Sequence, residues 1–191
     1  MASFDAITSD QLVCHNVLAH AETHSSIELK KAVGIFRNAE FDPTKFACVR
    51  VRYWQPPCTV SIFANGKLQA TGAKDVESAK LALKKAAYRL LKVGGNEKVR
   101  FSGFKAENIL ATLDLGQPIN LLGLSRDKEV VSTYEPTRFS GVVLRDPAGV
   151  TIDVFSTGKV NVKGAGSVAN LTRAVNKVLH VIARHACASL D

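Results

Sequence analysis

Laid against itself, the chain repeats. "NVLA" from Asn16 returns as "NILA" from Asn108, 92 positions on; "PTKFACVRVR" from Pro43 returns as "PTRFSGVVLR" from Pro136, 93 on; "IFANGKLQATGAK" from Ile62 returns as "VFSTGKVNVKGAG" from Val154, again 92 on. Three blocks in one order define two copies of a unit of about 90 residues. The step from 93 to 92 says that the second copy has lost one residue between its two phenylalanines. Such a unit is too long for a solenoid repeat and predicts a pseudo-twofold pair of half-domains, with residues 1–12 as an N-terminal tail, 13–101 as the first copy and 102–191 as the second.

Each copy follows one plan. "SSIELKKAVGIF", with Ser26 as N-cap and apolar Ile27, Val33 and Ile35, predicts a short helix. Residues 46 to 53 alternate, with Ala47, Val49 and Val51 on one side of a strand and Phe46, Cys48, Arg50 and Arg52 on the other. A hairpin follows. After Asp75 as N-cap, Val76, Ala79, Leu83, Ala86, Ala87 and Leu90 recur at helical spacing until Gly94 and Gly95 stop the run. The counterpart begins near Ser167, with Leu171, Val175, Val178, Leu179 and Ile182 as its inward stripe. Each copy therefore reads as antiparallel sheet with one face against a long amphipathic helix, an α+β layer pair.

The hairpin decides which side chains share the uncovered face. A two-residue loop at Asn65-Gly66 would put Lys67 and Gln69 beside Val60 and Ile62. A three-residue loop, Ala64-Asn65-Gly66 with a left-handed Gly66, instead pairs Phe63 with Lys67 and Ser61 with Gln69. Val60, Ile62, Leu68 and Ala70 then lie under the helix. Thr59, Ser61, Phe63, Lys67, Gln69 and Thr71 share the opposite face. In the second copy Ile152, Val154, Val160 and Val162 go under, leaving Thr151, Asp153, Phe155, Lys159, Asn161 and Lys163 outside. Phe46 and Phe139 belong to the same side as Arg52 and Arg145. Four rings on an otherwise polar face call for a partner, because covering each is worth about 1.5–3 kcal/mol; the competing reading is a second apolar layer or a dimer contact.

A formal net charge of +8 suits a polyanionic partner or an acidic protein surface, and 46% apolar content is ample for a core. No stretch approaches the roughly 20 apolar residues of a membrane span, and the N-terminus lacks a signal-peptide pattern, so a soluble intracellular protein is expected. Cys14, Cys48, Cys58 and Cys187 show no C-x-x-C spacing and are expected as buried or inert thiols. His15, His20 and His24 are not spaced as ligands, and His180 and His185 show no obvious carboxylate partner in the sequence, so neither a metal site nor catalytic histidines are expected. No phosphate loop, nucleophile elbow or paired-acid motif is present, and no cofactor is expected.

"RNAEFDPTKF", "SIFANGKLQATGAK", "STYEPTRFSG" and "VFSTGKV", with the paired asparagine starts, resemble the TATA-binding protein family, collinearly from about Asn16 to the last helix. The chain looks most like a divergent TATA-binding-protein-related factor. The resemblance implies ten antiparallel strands in one curved, saddle-like sheet, four helices on its convex side, and a concave side that sits on the minor groove of double-stranded promoter DNA in the nucleus. It matches Phe46, Phe63, Phe139 and Phe155 to rings that wedge between base steps, and Asn16 and Asn108 to asparagines that donate to A·T acceptors. Leu18 and Leu110 stand where the family carries valine, and Thr71 is retained. Arg52, Arg145, Lys67 and Lys159 match phosphate-side cations.

Departures fall on that same face. Ser61, Gln69, Asp153 and Asn161 replace small aliphatic residues, and Lys163 replaces a threonine. A carboxylate at 153 opposes DNA unless Lys163 or another cation compensates. For partners, the resemblance points to transcription factor IIA at the "NAEFDP" turn with Glu40 and Asp42, transcription factor IIB at the "YEPTRF" turn with Glu135 and Arg138, and the RNA polymerase machinery. Lys80, Lys84, Lys85 and Arg89 make a basic helix ridge suited to acidic proteins, or simply a solvated face. Two functional readings stand: a promoter-binding factor that nucleates assembly, and an assembly scaffold with weak or no TATA-specific DNA binding.

Overall fold

The period-two stretches fold as strands throughout the computed structural model, which describes residues 4–92 and 97–187. In chain order the elements are β1 (Val13–Glu22), α1 (Leu29–Ile35), β2 (Ala39–Glu40), β3 (Cys48–Trp54), β4 (Pro57–Phe63), β5 (Lys67–Ala73), α2 (Val76–Lys92), β6 (Ser102–Asp114), α3 (Leu121–Ser125), β7 (Ser132–Thr133), β8 (Val142–Arg145), β9 (Thr151–Val154), β10 (Lys159–Ala165) and α4 (Val168–Arg184). The class is the expected α+β one, with ten strands in one antiparallel sheet and four α-helices among the described residues. Two compact units divide the chain: His15–Asn108, and Met1–Cys14 with Ile109–Asp191.

In the unit His15–Asn108 the strands run β2-β3-β4-β5-β1. α2 packs on β4 and β5, and Val60, Ile62, Leu68 and Ala70 are fully buried, as are Ala79, Ala82, Leu83 and Ala86 of the helix. The small alanines let the helix approach the sheet closely, so burial and dispersion act over the whole contact. Asp75 caps α2, its Oδ1 accepting the Ser78 N–H at 2.6 Å. Gly94 and Gly95, expected to end this helix, lie outside the described residues.

α1 departs from expectation. It starts at Leu29 after Glu28 rather than at a Ser26 cap, and its buried residue is Ala32, with Val33 and Ile35 only half-buried. The cause is the preceding segment: the Thr23 hydroxyl donates to Gly66 O at 2.9 Å, and the Ile27 N–H donates to Ala64 O at 2.9 Å. These bonds pin both ends of the 23–27 segment to the hairpin loop, with a bend at His24 (φ 53°) between them, so helical dihedrals begin only beyond it. β3 likewise begins at Cys48; Ala47 is exposed instead of inward, and Cys48 is buried although its parity assigns it to the polar side.

In the other unit the order is β6-β10-β9-β8-β7, and α4 packs on β10. Leu171, Val175, Leu179 and Ile182 are buried as the stripe predicts, Val178 half-buried, and Ser167 caps α4 by accepting the Asn170 N–H at 3.3 Å. The segment read as a tail is docked on α4: Asn176 accepts the Ile7 N–H at 2.8 Å and donates back to Ile7 O at 2.9 Å, and Ile7 and Leu12 are buried.

The missing residue of the second copy is at a hairpin tip. β3 and β4 continue past the Arg52↔Thr59 pair to Trp54↔Pro57, closing on Gln55 and Pro56 with a cis peptide between them. β8 and β9 stop pairing at Arg145↔Thr151, and the tip closes through Gly149 N–H to Asp146 O at 2.9 Å. The paired faces are unaffected, because the change lies beyond the last shared pair.

Candidate nucleic-acid interface

Both hairpins next to the uncovered face close with the three-residue loop. Gly66 and Gly158 have φ of 85° and 86°, and their N–H groups donate to Phe63 O and Phe155 O at 3.0 Å. A side chain at Gly158 would meet Gln117 O at 2.2 Å, so glycine is needed for space as well as for the dihedral. The resulting register, Ser61↔Gln69 and Asn161↔Asp153, puts each phenylalanine with the polar residues. Neither ring lies under a helix; Phe63 and Phe155 are half-buried, Phe46 is 45% exposed and Phe139 39% exposed.

Phe46 and Phe139 sit in matching turns, in which Asp42 O and Glu135 O each accept two successive N–H groups. Their surroundings differ. Phe139 meets Phe155 edge to face with ring centroids 5.6 Å apart. Phe46 instead lies under the Arg50 guanidinium, 4.8 Å from ring centroid to the guanidinium carbon, and Arg50 also pairs with Glu40 at 3.4 Å. Arg50 was absent from the sequence-derived site, although its strand parity with Arg52 was the available signal.

Cross-strand pairing defines the floor of each face. In the first unit the row is Arg50–Ser61–Gln69–His20; in the second it is Val143–Asp153–Asn161–Thr112. Asp153 is on the predicted face but is not open to solvent: its side chain is 5% exposed and takes a 2.7 Å ion pair from Lys163. Lys163 is thus committed to a carboxylate. Arg52, Lys67, Arg145 and Lys159 are exposed and pair with no carboxylate among the described residues.

Glycine bulges set the asparagine at the first copy. Between Val17↔Ala73 and Ala19↔Ala70 the register slips, leaving Thr71 and Gly72 opposite Leu18, and Gly72 takes a φ of 89°. Its N–H is thereby turned to Asn16 Oδ1 at 2.6 Å. Since a backbone N–H can only donate, the amide oxygen must face Gly72, which directs the Asn16 NH2 away as a donor. A corresponding slip beside Leu110 places Gly164 at φ 110°. Asn108 is exposed.

A hollow of about 500 Å3 on the first unit's face is lined by Leu18, His20, Phe63, Lys67, Gln69 and Glu107. His20 and Lys105 approach Glu107 at 3.4 and 3.5 Å. His20 and Glu107 were not in the sequence-derived site; His20 shares the parity of Asn16 and Leu18, whereas no local pattern announced Glu107.

The partner residues divide by what they already hold. Asp42 is spent on its own turn, accepting the Thr44 hydroxyl at 2.6 Å, the interaction that chiefly holds its carboxyl below the ordinary range. Glu135 and Arg138 are exposed and pair at 3.3 Å. Lys80 and Lys84 lie over the Phe104 and Phe101 rings, Lys85 donates to Gln55 O at 2.7 Å, and Arg89 donates through Nε to Ile35 O at 2.7 Å. The ridge is therefore partly structural, clamping α2 to its surroundings.

One expectation is corrected. His180 and His185 do have carboxylate partners, Glu129 at 3.2 Å and Asp127 at 3.0 Å, supplied by the loop after α3, more than fifty positions away in the chain. Cys187 is exposed and Cys14 half-buried, whereas Cys48 and Cys58 are buried, with burial pushing the Cys58 thiol up to about 11. No group of three or more His, Cys, Asp or Glu side chains arranged to hold a metal occurs among the described residues.

Over residues 11–93, and again over 103–185, the chain matches the family described as transcription factor TFIID (or TATA-binding protein, TBP). It is 33% identical over 172 residues to the TATA-box-binding protein-like 1 of Entamoeba histolytica, covering 89% of this chain and 78% of that protein. To the TATA-box-binding protein of Saccharomyces cerevisiae it is 34% identical over 168 residues, covering 87% and 69%. The solved structure of Methanococcus jannaschii TBP superposes with a TM-score of 0.78 at 32% identity, over 90% of this chain and 97% of that one.

Proposed function

The chain belongs to the TATA-binding protein family of general transcription factors, DNA-binding proteins rather than enzymes, and from that premise we propose that it docks on promoter DNA from the minor groove and bends it. The observation that carries this reading is the placement of Phe46, Phe63, Phe139 and Phe155 outside the helix-covered layers, two in each unit. The rings enter between base steps, Asn16 and Asn108 donate to A·T acceptors, and Leu18, Leu110, Gln69, Thr71 and Asn161 line the groove floor. Arg52, Lys67, Arg145 and Lys159 bind phosphates, and Lys163 does so only if it leaves Asp153. The DNA-bound protein then nucleates a preinitiation complex in the nucleus through Glu40, Asp42, Glu135, Arg138 and the α2 ridge of Lys80, Lys84, Lys85 and Arg89. Transcription factors IIA and IIB and the polymerase machinery are the partners.

The test compares a TATA duplex with a scrambled one at stated salt, reading binding and the end-to-end distance of doubly labelled DNA. Wild-type chain is expected to shorten that distance, and Phe63→Ala with Phe155→Ala to restore it. Unchanged bending in the double variant refutes the wedge role. The polar floor row with Asp153 favours a second reading, an assembly scaffold with little TATA preference, which wins if neither duplex is bound.

A further inference from the structure

On the uncovered face of the first unit, His20 and Gln69 stand directly opposite each other across β1 and β5. Cross-strand partners of this kind have Cβ atoms about 4.5–5.5 Å apart. Both side chains line the hollow of about 500 Å3 beside Phe63, together with Leu18 and Glu107. The Glu107 carboxylate lies 3.4 Å from His20 Nδ1 and 3.5 Å from Lys105 Nζ. A carboxylate only accepts, so it favours the ring proton on Nδ1, which leaves Nε2 of the neutral imidazole as an acceptor. The Gln69 amide next to it carries an NH2 donor. This part of the floor therefore sets an acceptor beside a donor, unlike Asn16, whose oxygen is taken by the Gly72 N–H and whose NH2 alone is offered. The 92-residue offset puts Thr112 in place of His20 and His15 in place of Glu107, so the arrangement occurs once in the chain.

We propose that His20 and Gln69 recognise a G·C base pair in one half of the bound site, an inference that rests on the minor-groove docking proposed above. In that groove an A·T pair offers acceptors only, whereas guanine adds its N2 amino group as a donor. One N2–H is spent on cytosine. The other points into the groove, where His20 Nε2 accepts it, while the Gln69 NH2 donates to a neighbouring base acceptor. Against A·T the His20 lone pair faces another lone pair, so the same arrangement disfavours the pair that it does not read. The guanine amino group also needs room on the floor. It takes about the 30 Å3 of a water molecule, and the hollow of about 500 Å3 provides that space. Glu107 is a positioning residue that acts through His20, and Lys105 offsets its charge toward the phosphates.

The experiment isolates the amino group. Inosine pairs with cytosine but lacks N2, so an inosine·C pair offers the minor groove acceptors only, as A·T does. The full chain is titrated, by fluorescence anisotropy at one fixed salt concentration, with duplexes in which each A·T pair of a TATA element is replaced in turn by G·C or by inosine·C. The expected result is binding about tenfold tighter to G·C than to inosine·C at one or two adjacent pairs, in one half of the element only. His20→Leu with Gln69→Leu is expected to bring that ratio to one or below. Both duplexes share every phosphate contact, so a general loss of affinity leaves the ratio where it was. Should the double variant bind too weakly to measure, Glu107→Ala is expected to lower the ratio several-fold by releasing the ring proton from Nδ1. Inosine·C bound as tightly as G·C at every position, or a ratio that neither variant changes, overturns the proposal and leaves minor-groove docking standing. Absence of binding to every duplex removes the docking, and this proposal with it.

Discussion

Phe139 and Phe155 meet edge to face at 5.6 Å, with ring planes 64° apart, across a glycine. A Cβ on Gly141 would stand 3.0 Å from Phe139 Cε1, 3.0 Å from Val154 O and 3.2 Å from Phe155 Cε1. The first copy has Cys48 at the matching position. There the paired residue is Phe63, and Phe46 is covered by Arg50 instead of by its ring partner. The two copies thus offer one packed ring pair and one arginine-covered ring.

Gly141→Val is expected to push that ring pair apart. Overpacking of this kind costs about 1–3 kcal/mol, read as a lowered thermal midpoint, and DNA bending should weaken with it. An unshifted midpoint together with normal bending would show that the close approach is incidental.

Asp153 and Lys163 should respond asymmetrically to substitution. Lys163→Met leaves a buried carboxylate without its partner and is expected to cost about 1–3 kcal/mol, measured by denaturant unfolding. Asp153→Leu releases Lys163 toward phosphate and should tighten binding to A·T-rich DNA while steepening its salt dependence. Weaker binding by Asp153→Leu would mean the carboxylate serves the DNA face rather than opposing it.

Tyr53 carries a buried hydroxyl with no hydrogen-bond partner among the described residues, and burial pushes its pKa up to about 12, so it stays protonated at any working pH. A donor without an acceptor wastes its desolvation. Tyr53→Phe is expected to stabilise the protein by about 1 kcal/mol, visible as a rise in thermal midpoint; a fall would reveal an acceptor for that hydroxyl.

Arg184 ties α4 to the loop after α3, at 2.7 Å to Glu129 and 3.1 Å to Asp127. Arg184 and then His180 hold the Glu129 carboxyl below its ordinary value; for Asp127 the Glu129 backbone N–H leads, followed by His185. Because both folded-state values are depressed, this contribution is present above the ordinary carboxylate range and is lost as pH falls through the lowered values. The thermal midpoint should therefore drop on acidification below about pH 4. Arg184→Met should make that drop shallower, and an identical pH profile in the variant would place the acid sensitivity elsewhere.

Much of the candidate site was legible because its signals are local. Gly66 and Gly158 dictate the loop, the loop dictates register, and period two then assigns Phe63 and Phe155 to the uncovered face. Asp75 and Ser167 were readable as caps for the same reason, since a side-chain oxygen reaching an N–H three residues on requires no distant partner. The misreadings share the opposite character. Ser26 looked like a cap until Thr23 and Ile27 were found bonded to a loop some forty residues away, and His180 and His185 looked unpartnered because their carboxylates come from another element.

From the amino-acid order alone came the duplication, the α+β layering of each copy and the face on which the rings project, since glycine dihedrals and hydrophobic period act within a few residues. Tertiary structure alone decided that Asp153 is buried under Lys163, that Phe46 and Phe139 have different neighbours, that the N-terminal segment lies on α4, and that His20, Gln69 and Glu107 line one hollow beside Phe63. Each of these rests on side chains brought together from separate elements, where packing and charge compensation depend on distances in space that chain spacing does not encode.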